Sequence, residues 1–211
     1  MKSMHFRAVL ESDLVLSSTA ATQGGHTCLD HLPGAAFLGA CAARLYTALG
    51  RDAFRVFHAG AVRFGSAYPA APDGTAALPV PLSWHAGKGA EKEKEGKILC
   101  GNIFNMTEAD EALLEEWKKK AVQPQAIRQG YFSHTGFYIL PETGYHMKTA
   151  IDRDHGGRAR EAQLFGYEHL CAGTRWHFRL DMEDDVPEDV AGQLTSVLTG
   201  APVRLGRSRT A

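Results

Sequence analysis

The spacing of apolar residues restricts the fold of this chain more than any other feature, because strands and helices impose different periods. Over residues 5 to 16, Phe6, Ala8, Leu10, Leu14 and Leu16 fall on one side and His5, Arg7, Glu11 and Asp13 on the other. That alternation predicts a strand with one packed and one wetter face. A Gly/Thr/Ser-rich loop comes next, through Gln23, Gly24, Gly25 and His26. The period then changes. Pro33 and Gly34 open a helix on which Phe37, Cys41, Leu45 and Ala48 recur at helical spacing, with Gly50 placed to end it. Its small residues, Gly34, Ala36, Gly39, Ala40, Ala42 and Ala43, predict close approach to a neighbouring sheet. Gly39 in particular calls for such an approach, since it otherwise costs about 1 kcal/mol against alanine.

The C-terminal third repeats the pattern. Residues 145–151 read as a strand, 152–158 as a flexible loop, and 164–171 with 175–182 as a hairpin turning at Ala172, Gly173 and Thr174. In its second arm Trp176, Phe178 and Leu180 face one way; Arg175, His177, Arg179 and Asp181 face the other. A helix begins at Pro187, carries Val190, Leu194, Val197 and Leu198 as its stripe, and closes at Gly200, before a final strand at 202–205. Strand, helix, strand, strand, helix, strand is an α+β order, the ferredoxin-like or RRM-like βαββαβ unit. Residues 1–50 and 144–211 supply it, and 51–143 form a long insertion between the first helix and the second strand. Helices on one sheet face would leave Arg7, His177 and Arg179 open on the other.

The insertion reads as irregular. A strand is expected at 61–68, and Pro69, Pro72, Pro79 and Pro81 punctuate the extended segment after it. Gly87-Lys88-Gly89 and the charged run 91–95 read as a solvated, mobile loop. A helix over 108–122 has Thr107 and Asp110 as an approximate capping box, Leu113, Leu114 and Trp117 as its stripe, and Lys118, Lys119 and Lys120 at its negative end.

With 211 residues, 44% of them hydrophobic, the chain is long enough for a real core. Basic and acidic residues balance at 23 to 24, so any contact with nucleic acid must come from local patches. From Gly200 onward there are three arginines, Arg204, Arg207 and Arg209, and no carboxylate. Gly206-Arg207-Ser208-Arg209 therefore reads as a phosphate contact: glycine permits close approach and arginine supplies forked donors. No run of 18 apolar residues and no signal-peptide core exist, which predicts a soluble, cytoplasmic protein without membrane contact. Cys28, Cys41, Cys100 and Cys171 form no C-x-x-C pair and are expected as free thiols.

Four segments, in order, resemble the RAMP superfamily of CRISPR effector proteins. Residues 32–39 (LPGAAFLG) are similar to the family's "IPGSSLKG" helix start. Residues 63–69 (RFGSAYP), then 78–84 (LPVPLSW) and Lys88, are similar to the "FSDAYP … PIPLS … K" stretch of type III subunits. Residues 150–153 (AIDR), Gly157, Arg158, Ala159, Leu164, Phe165, Glu168 and Gly173 resemble the "IDR … GRA … LF … E … G" hairpin. Residues 205–209 (LGRSR) are similar to its glycine-rich loop. The proline-rich stretch points most closely to the type III-D subunit that caps the guide-RNA 5′ handle. The resemblance implies a non-catalytic subunit gripping that handle and abutting the large subunit and the first backbone subunit. It places RNA contacts at Lys88, Arg153, Arg158, Arg160, Gly206, Arg207, Ser208 and Arg209. Two departures stand out. Cap-group members usually carry a second ferredoxin-like half after the glycine-rich loop, where this sequence stops; a compact version, a split product and a truncation all fit that. Target-cutting backbone subunits present an aspartate well before the helix, whereas Asp30 lies three residues before Pro33, which argues against target cleavage.

Other chemistry competes with that reading. His26, Cys28, Asp30 and His31 are the densest group of potential ligands, but structural zinc requires four ligands and usually paired cysteines. A polar loop at a helix N-terminus, able to meet a phosphate, accounts for them without metal. Asp152, Asp154 and His155 have the residue types of a metal-nuclease or acid–base site, yet glycines come directly after them and the neighbouring arginines suit backbone gripping. The ten histidines are spread out and match no motif. Tyr131, Phe132, Phe137, Tyr138 and Tyr145 are candidates for base stacking, but the aromatic RNP1 pattern is absent. The expectation is thus no catalytic residue, no cofactor and no metal. The alternatives are a RAMP-type ribonuclease that processes guide RNA or cuts target RNA, and a scaffold touching only protein.

Overall fold

The structure, a computed structural model, describes residues 1–18, 27–99, 102–152 and 158–206, with only the backbone of 148–152 and 158–165. In chain order it forms β1 (Lys2–Val9), α1 (Gly34–Leu45), α2 (Asp52–Phe57) and β2 (Val62–Phe64). Short strands come after these: β3 (Tyr68–Pro69), β4 (Ala77–Pro79), β5 (Trp84–Gly87), β6 (Glu93–Lys94), β7 (Lys97–Ile98) and β8 (Ile103–Asn105). Next come α3 (Glu111–Lys119), β9 (Pro124–Ala126), β10 (Tyr131–Ser133) and β11 (Tyr138–Ile139). The chain continues with β12 (Thr143–Asp152), β13 (Arg158–Leu170), β14 (Arg175–Met182) and α4 (Glu188–Thr199). It is a mixed α/β fold of several small antiparallel sheets and, among the described residues, four helices. It divides into two compact units, Met1–Ala67 with Pro141–Ala211, and Tyr68–Leu140.

In the first unit the strand order is β1-β14-β2, all antiparallel. The alternation of β1 is realised: Met4, Phe6 and Ala8 are half-buried between exposed neighbours, and Leu10 is buried. Phe6 stacks on Phe178, which stacks in turn on Phe37 of α1 at 4.1 Å between ring centroids. Two apolar clusters fill the helix side of the sheet. One joins Cys41, Val56, Phe57 and Met182 to Val190 and Leu194; the other joins Leu14, Leu32, Phe37, Trp176 and Leu180 to Leu205.

Helix α1 begins after Pro33, buries Phe37, Cys41 and Leu45, and ends before a turn in which Gly50 takes φ +52°. Its close approach lies at Gly34, where a Cβ would stand 1.9 Å from the Phe64 carbonyl oxygen. Gly39 is exposed and has open space around it, so the approach expected there is made five residues earlier.

Strand identities differ from the sequence reading in three places. The second strand of the sheet is Val62–Phe64, not 145–151, so residues 51–67 pack with the sheet unit and the long excursion comes after the second strand. Residues 164–170 belong to β13, whose partner is β12 from Thr143↔Leu170 to Asp152↔Arg158, in a separate two-stranded ribbon. Strand β14 pairs instead with β1, from Lys2↔Met182 to Val9↔Arg175. Alternation identifies a strand but not its partner, and the apolar face of Trp176, Phe178 and Leu180 needs Phe6 and Ala8 beside it. Finally, 202–205 form no strand, although Leu205 is buried in the core.

The second unit holds the sheets β8-β5-β9 and β11-β10-β4 and the hairpin β6-β7. Its core cluster is Val80, Ala86 and Ile127, flanked by Trp84, Ile103, Phe132 and Tyr138. The charged run read as a mobile loop contains that hairpin: Lys94 pairs with Lys97 across Glu95 and Gly96, both at positive φ, as a two-residue turn of matching twist requires. Helix α3 is capped by Asp110, which accepts a hydrogen bond from the Leu113 N–H at 2.8 Å, while Thr107 donates to Asn105. Among the described residues no helix is long and apolar enough to cross a membrane.

Candidate functional site

The β1-β14-β2 register collects charge on the sheet face turned away from the core. Since side chains alternate, Ser3, His5, Arg7 and Val9 share that face with Arg175, His177, Arg179 and Asp181 of β14 and with Arg63, which is paired with Asp181. Arg7, Arg63, Arg175 and Arg179 are all exposed. The single carboxylate of these strand positions, Asp181, is buried and engaged: Arg179 Nε donates to it at 3.0 Å and the Ser3 hydroxyl at 2.6 Å. Arg7 lies opposite His177, and His5 opposite Arg179. Arginine forks match phosphate oxygens, and none of these face positions is Phe, Tyr or Trp, so the surface suits a phosphate backbone, with His5 and His177 as its only rings. The sequence put Arg7, His177 and Arg179 here; Arg63 was missed because its three-residue strand was not recognised as part of the sheet.

The residues predicted to grip RNA are scattered across this description. Lys88 is exposed after β5 in the second unit, its backbone N–H bonded to the Gln123 carbonyl at 2.8 Å. Gly206 belongs to the first unit. It has φ +77°, and a Cβ there would meet Leu14 Cδ1 and the Val15 carbonyl oxygen, both at 2.6 Å. Packing therefore explains this glycine without a ligand. Arg158 and Arg160 sit near the distal end of the β12-β13 ribbon, with their side chains outside the described residues. Arg153, Arg207, Ser208 and Arg209 lie outside the described residues, as do Asp154, His155 and His26. Of the candidate stacking aromatics, Tyr131 is buried, Phe132 packs on Trp84, Phe137 lies under the Lys97 ammonium, and the Tyr138 hydroxyl donates to the Gln129 carbonyl. Tyr145, on β12, is exposed. In the group around the helix start, the Cys28 thiol accepts from the Leu16 N–H and Asp30 pairs with His31 at 3.1 Å.

A second constellation was not legible as a motif. Asp13, after β1, meets His146 of β12 and His169 of β13: its Oδ2 lies 2.9 Å from His146 Nε2 and 3.3 Å from His169 Nε2. Its Oδ1 accepts the Ala172 N–H at 2.9 Å. That backbone donor first, then His146, holds the Asp13 carboxyl below its ordinary range. The imidazoles stack at 4.0 Å, and buried His169 Nδ1 has no hydrogen-bond partner among the described residues. Only the β12-β13 register, with His146 opposite Tyr167 and Gly144 opposite His169, makes the two histidines diagonal neighbours.

No protein-family model and no curated protein matches this chain. Solved structures do. A chain of the Type III-B Cmr-beta cryo-EM structure in the apo state aligns with 99% of this chain and 93% of its own length, at TM-score 0.50 and 11% identity. A chain of the Type III-B Cmr-beta structure bound to cognate target RNA aligns with 100% of this chain and 94% of its own length, at TM-score 0.48 and 11% identity. At this identity, the likeness to the apo-state chain is one of fold, and it spans nearly the whole of both molecules.

Proposed function

We propose that this chain is a non-catalytic RNA-binding subunit of a type III CRISPR effector, holding the 5′ handle of the guide RNA and contacting the large subunit and backbone subunits. The observation that carries this reading is the open sheet face, where four exposed arginines and two histidines surround one engaged carboxylate in a chain of net charge -1. The near full-length fold likeness to a Type III-B Cmr-beta chain supports it, as do the four RAMP-like segments. The strands β1, β2 and β14 with α1 and α4 are read as a ferredoxin-like half whose closing strand is unformed. Lys88, Arg153, Arg158, Arg160, Gly206, Arg207, Ser208 and Arg209 are read as further RNA contacts. Phosphate contacts would fix the RNA register without reading its sequence.

The test is guide-RNA binding across a salt series. For single-stranded RNA, each lost phosphate contact lowers the log–log salt slope by roughly 0.7. A combined Arg7/Arg63/Arg175/Arg179→Ala variant is expected to lose roughly 3 from that slope and to bind weakly. An Arg153/Arg158/Arg207/Arg209→Ala variant is expected to weaken binding as well. Lys118→Ala with Lys119→Ala, on the solvent side of α3, serves as a neutral control. Unchanged affinity in both arginine variants would sink the proposal. Labelled guide precursor and target RNA, incubated with Mg²⁺, are expected to remain intact; product abolished by Asp30→Ala or Asp152→Ala would replace binding with ribonuclease function.

A further inference from the structure

We propose that Asp13, His146 and His169 form a binding site for one divalent transition-metal ion of the Zn²⁺ or Co²⁺ type. Two imidazole nitrogens and one carboxylate oxygen are a donor set these ions favour over Mg²⁺ or Ca²⁺, which prefer all-oxygen shells. The three donor atoms lie within 4.8 Å of one another. A tetrahedral ion with bonds of about 2.0–2.1 Å has ligand–ligand edges of about 3.3–3.4 Å. The Asp13–His169 edge, at 3.3 Å, already has that length, and the Asp13–His146 edge, at 2.9 Å, needs a small opening. His146 is 55% exposed and can turn to supply it, which also brings its lone pair out of parallel with the stacked His169 ring.

The site is built rather than accidental. Asp13 is fixed through Oδ1 by the Ala172 N–H, leaving Oδ2 to face both rings. His169 is held between the strands in space that a side chain at Gly144 would occupy: a Cβ there would stand 2.5 Å from His169 Nε2. Without an ion, Asp13 is hydrogen-bonded to His146 and lies 3.3 Å from His169 Nε2, while the buried Nδ1 of His169 has no partner among the described residues. Coordination through Nε2 requires the ring proton on Nδ1, for which no acceptor exists among the described residues. Loss of such an outer acceptor weakens metal sites by roughly 10- to 100-fold. The site is therefore of moderate affinity and exchangeable, and the exposed His146 side leaves a coordination position to water. Bound there, the ion joins the loop after β1 to the base of the β12-β13 ribbon.

The experiment is titration of untagged, chelator-stripped full-length protein with Zn²⁺ by calorimetry and with Co²⁺ by visible absorption. Uptake of one ion per chain is expected, with the strong d–d bands of a low-symmetry four-coordinate Co²⁺ site and affinity that falls as pH is lowered. His146→Ala, at an exposed position, is expected to lose at least tenfold in affinity while keeping the ion-free circular dichroism and melting of the parent. Asp13→Asn is expected to lose as much, with the Ala172 contact kept. No saturable uptake would overturn the proposal, and so would uptake undiminished in both variants, since the ion would then sit on other histidines.

Discussion

Asp13 shows how much one side chain does when its two oxygens have separate partners. Oδ1 satisfies the Ala172 N–H and Oδ2 faces His146 and the buried His169. Truncation orphans the Ala172 backbone donor and removes the hydrogen bond with His146, so Asp13→Ala is expected to lower stability by about 1–3 kcal/mol, measured by urea unfolding at neutral pH. The sign of the pH dependence comes from a lowered carboxyl pKa. The stabilisation is complete above the ordinary carboxylate range and disappears as pH falls through the lower folded value, so that part of the acid limb should be missing in the variant. Cys41 is a different case. It is fully buried, and burial pushes its thiol up to about 11. At pH 8 only about one molecule in a thousand would carry the thiolate, so a disulfide reagent should modify Cys41 at the rate of global unfolding. The alternation over residues 5–16 placed Asp13 on the wetter side, but its partners are 133 and 156 residues away, beyond any local pattern.

Helix α1 carries two glycines with opposite roles. Gly34 lies against the backbone of β2, where a Cβ would overlap the Phe64 carbonyl. Gly34→Ala must push helix and strand apart and is expected to destabilise by about 1–3 kcal/mol or more. Gly39 is exposed with open space, so Gly39→Ala is expected to stabilise by about 0.5–1 kcal/mol through the helical preference of alanine. Thermal melts of the two variants, moving in opposite directions, check the pair. The helices were legible because their stripes and caps are local: Phe37, Cys41 and Leu45 in α1, Pro187, Val190 and Leu194 in α4. Strand pairing was not. Val62–Phe64 is too short to show alternation, whereas β12 and β13 alternate well but pair with each other, apart from the β1-β14-β2 sheet. The open cationic face was therefore only partly legible: β1 and β14 declare it by period, and Arg63 joins it only through the register.

At the scale of the whole molecule the two units differ in how much apolar surface they bury. Among the described residues the first has core clusters of twelve and eleven buried residues and the second a cluster of three, so local opening should cost the second far less. Its sheets have strands of two to four residues, which offer few mutually protected amides. Hydrogen exchange at neutral pH is therefore expected to separate the chain into two classes. Backbone amides of Phe6, Ala8, Phe178 and Leu180, in paired strands against the larger cores, should exchange only with global unfolding. Those of Ala86, Phe104 and Tyr131, in the second unit, should exchange through a lower-energy opening that mild denaturant barely changes. The proposed function adds a condition: RNA held on the β1-β14-β2 face should slow exchange in the first class. In the second class, only amides near the proposed contact at Lys88 should slow. Uniform protection of both units in the free protein would show that the small cluster around Val80, Ala86 and Ile127 is not the weaker core its burial implies.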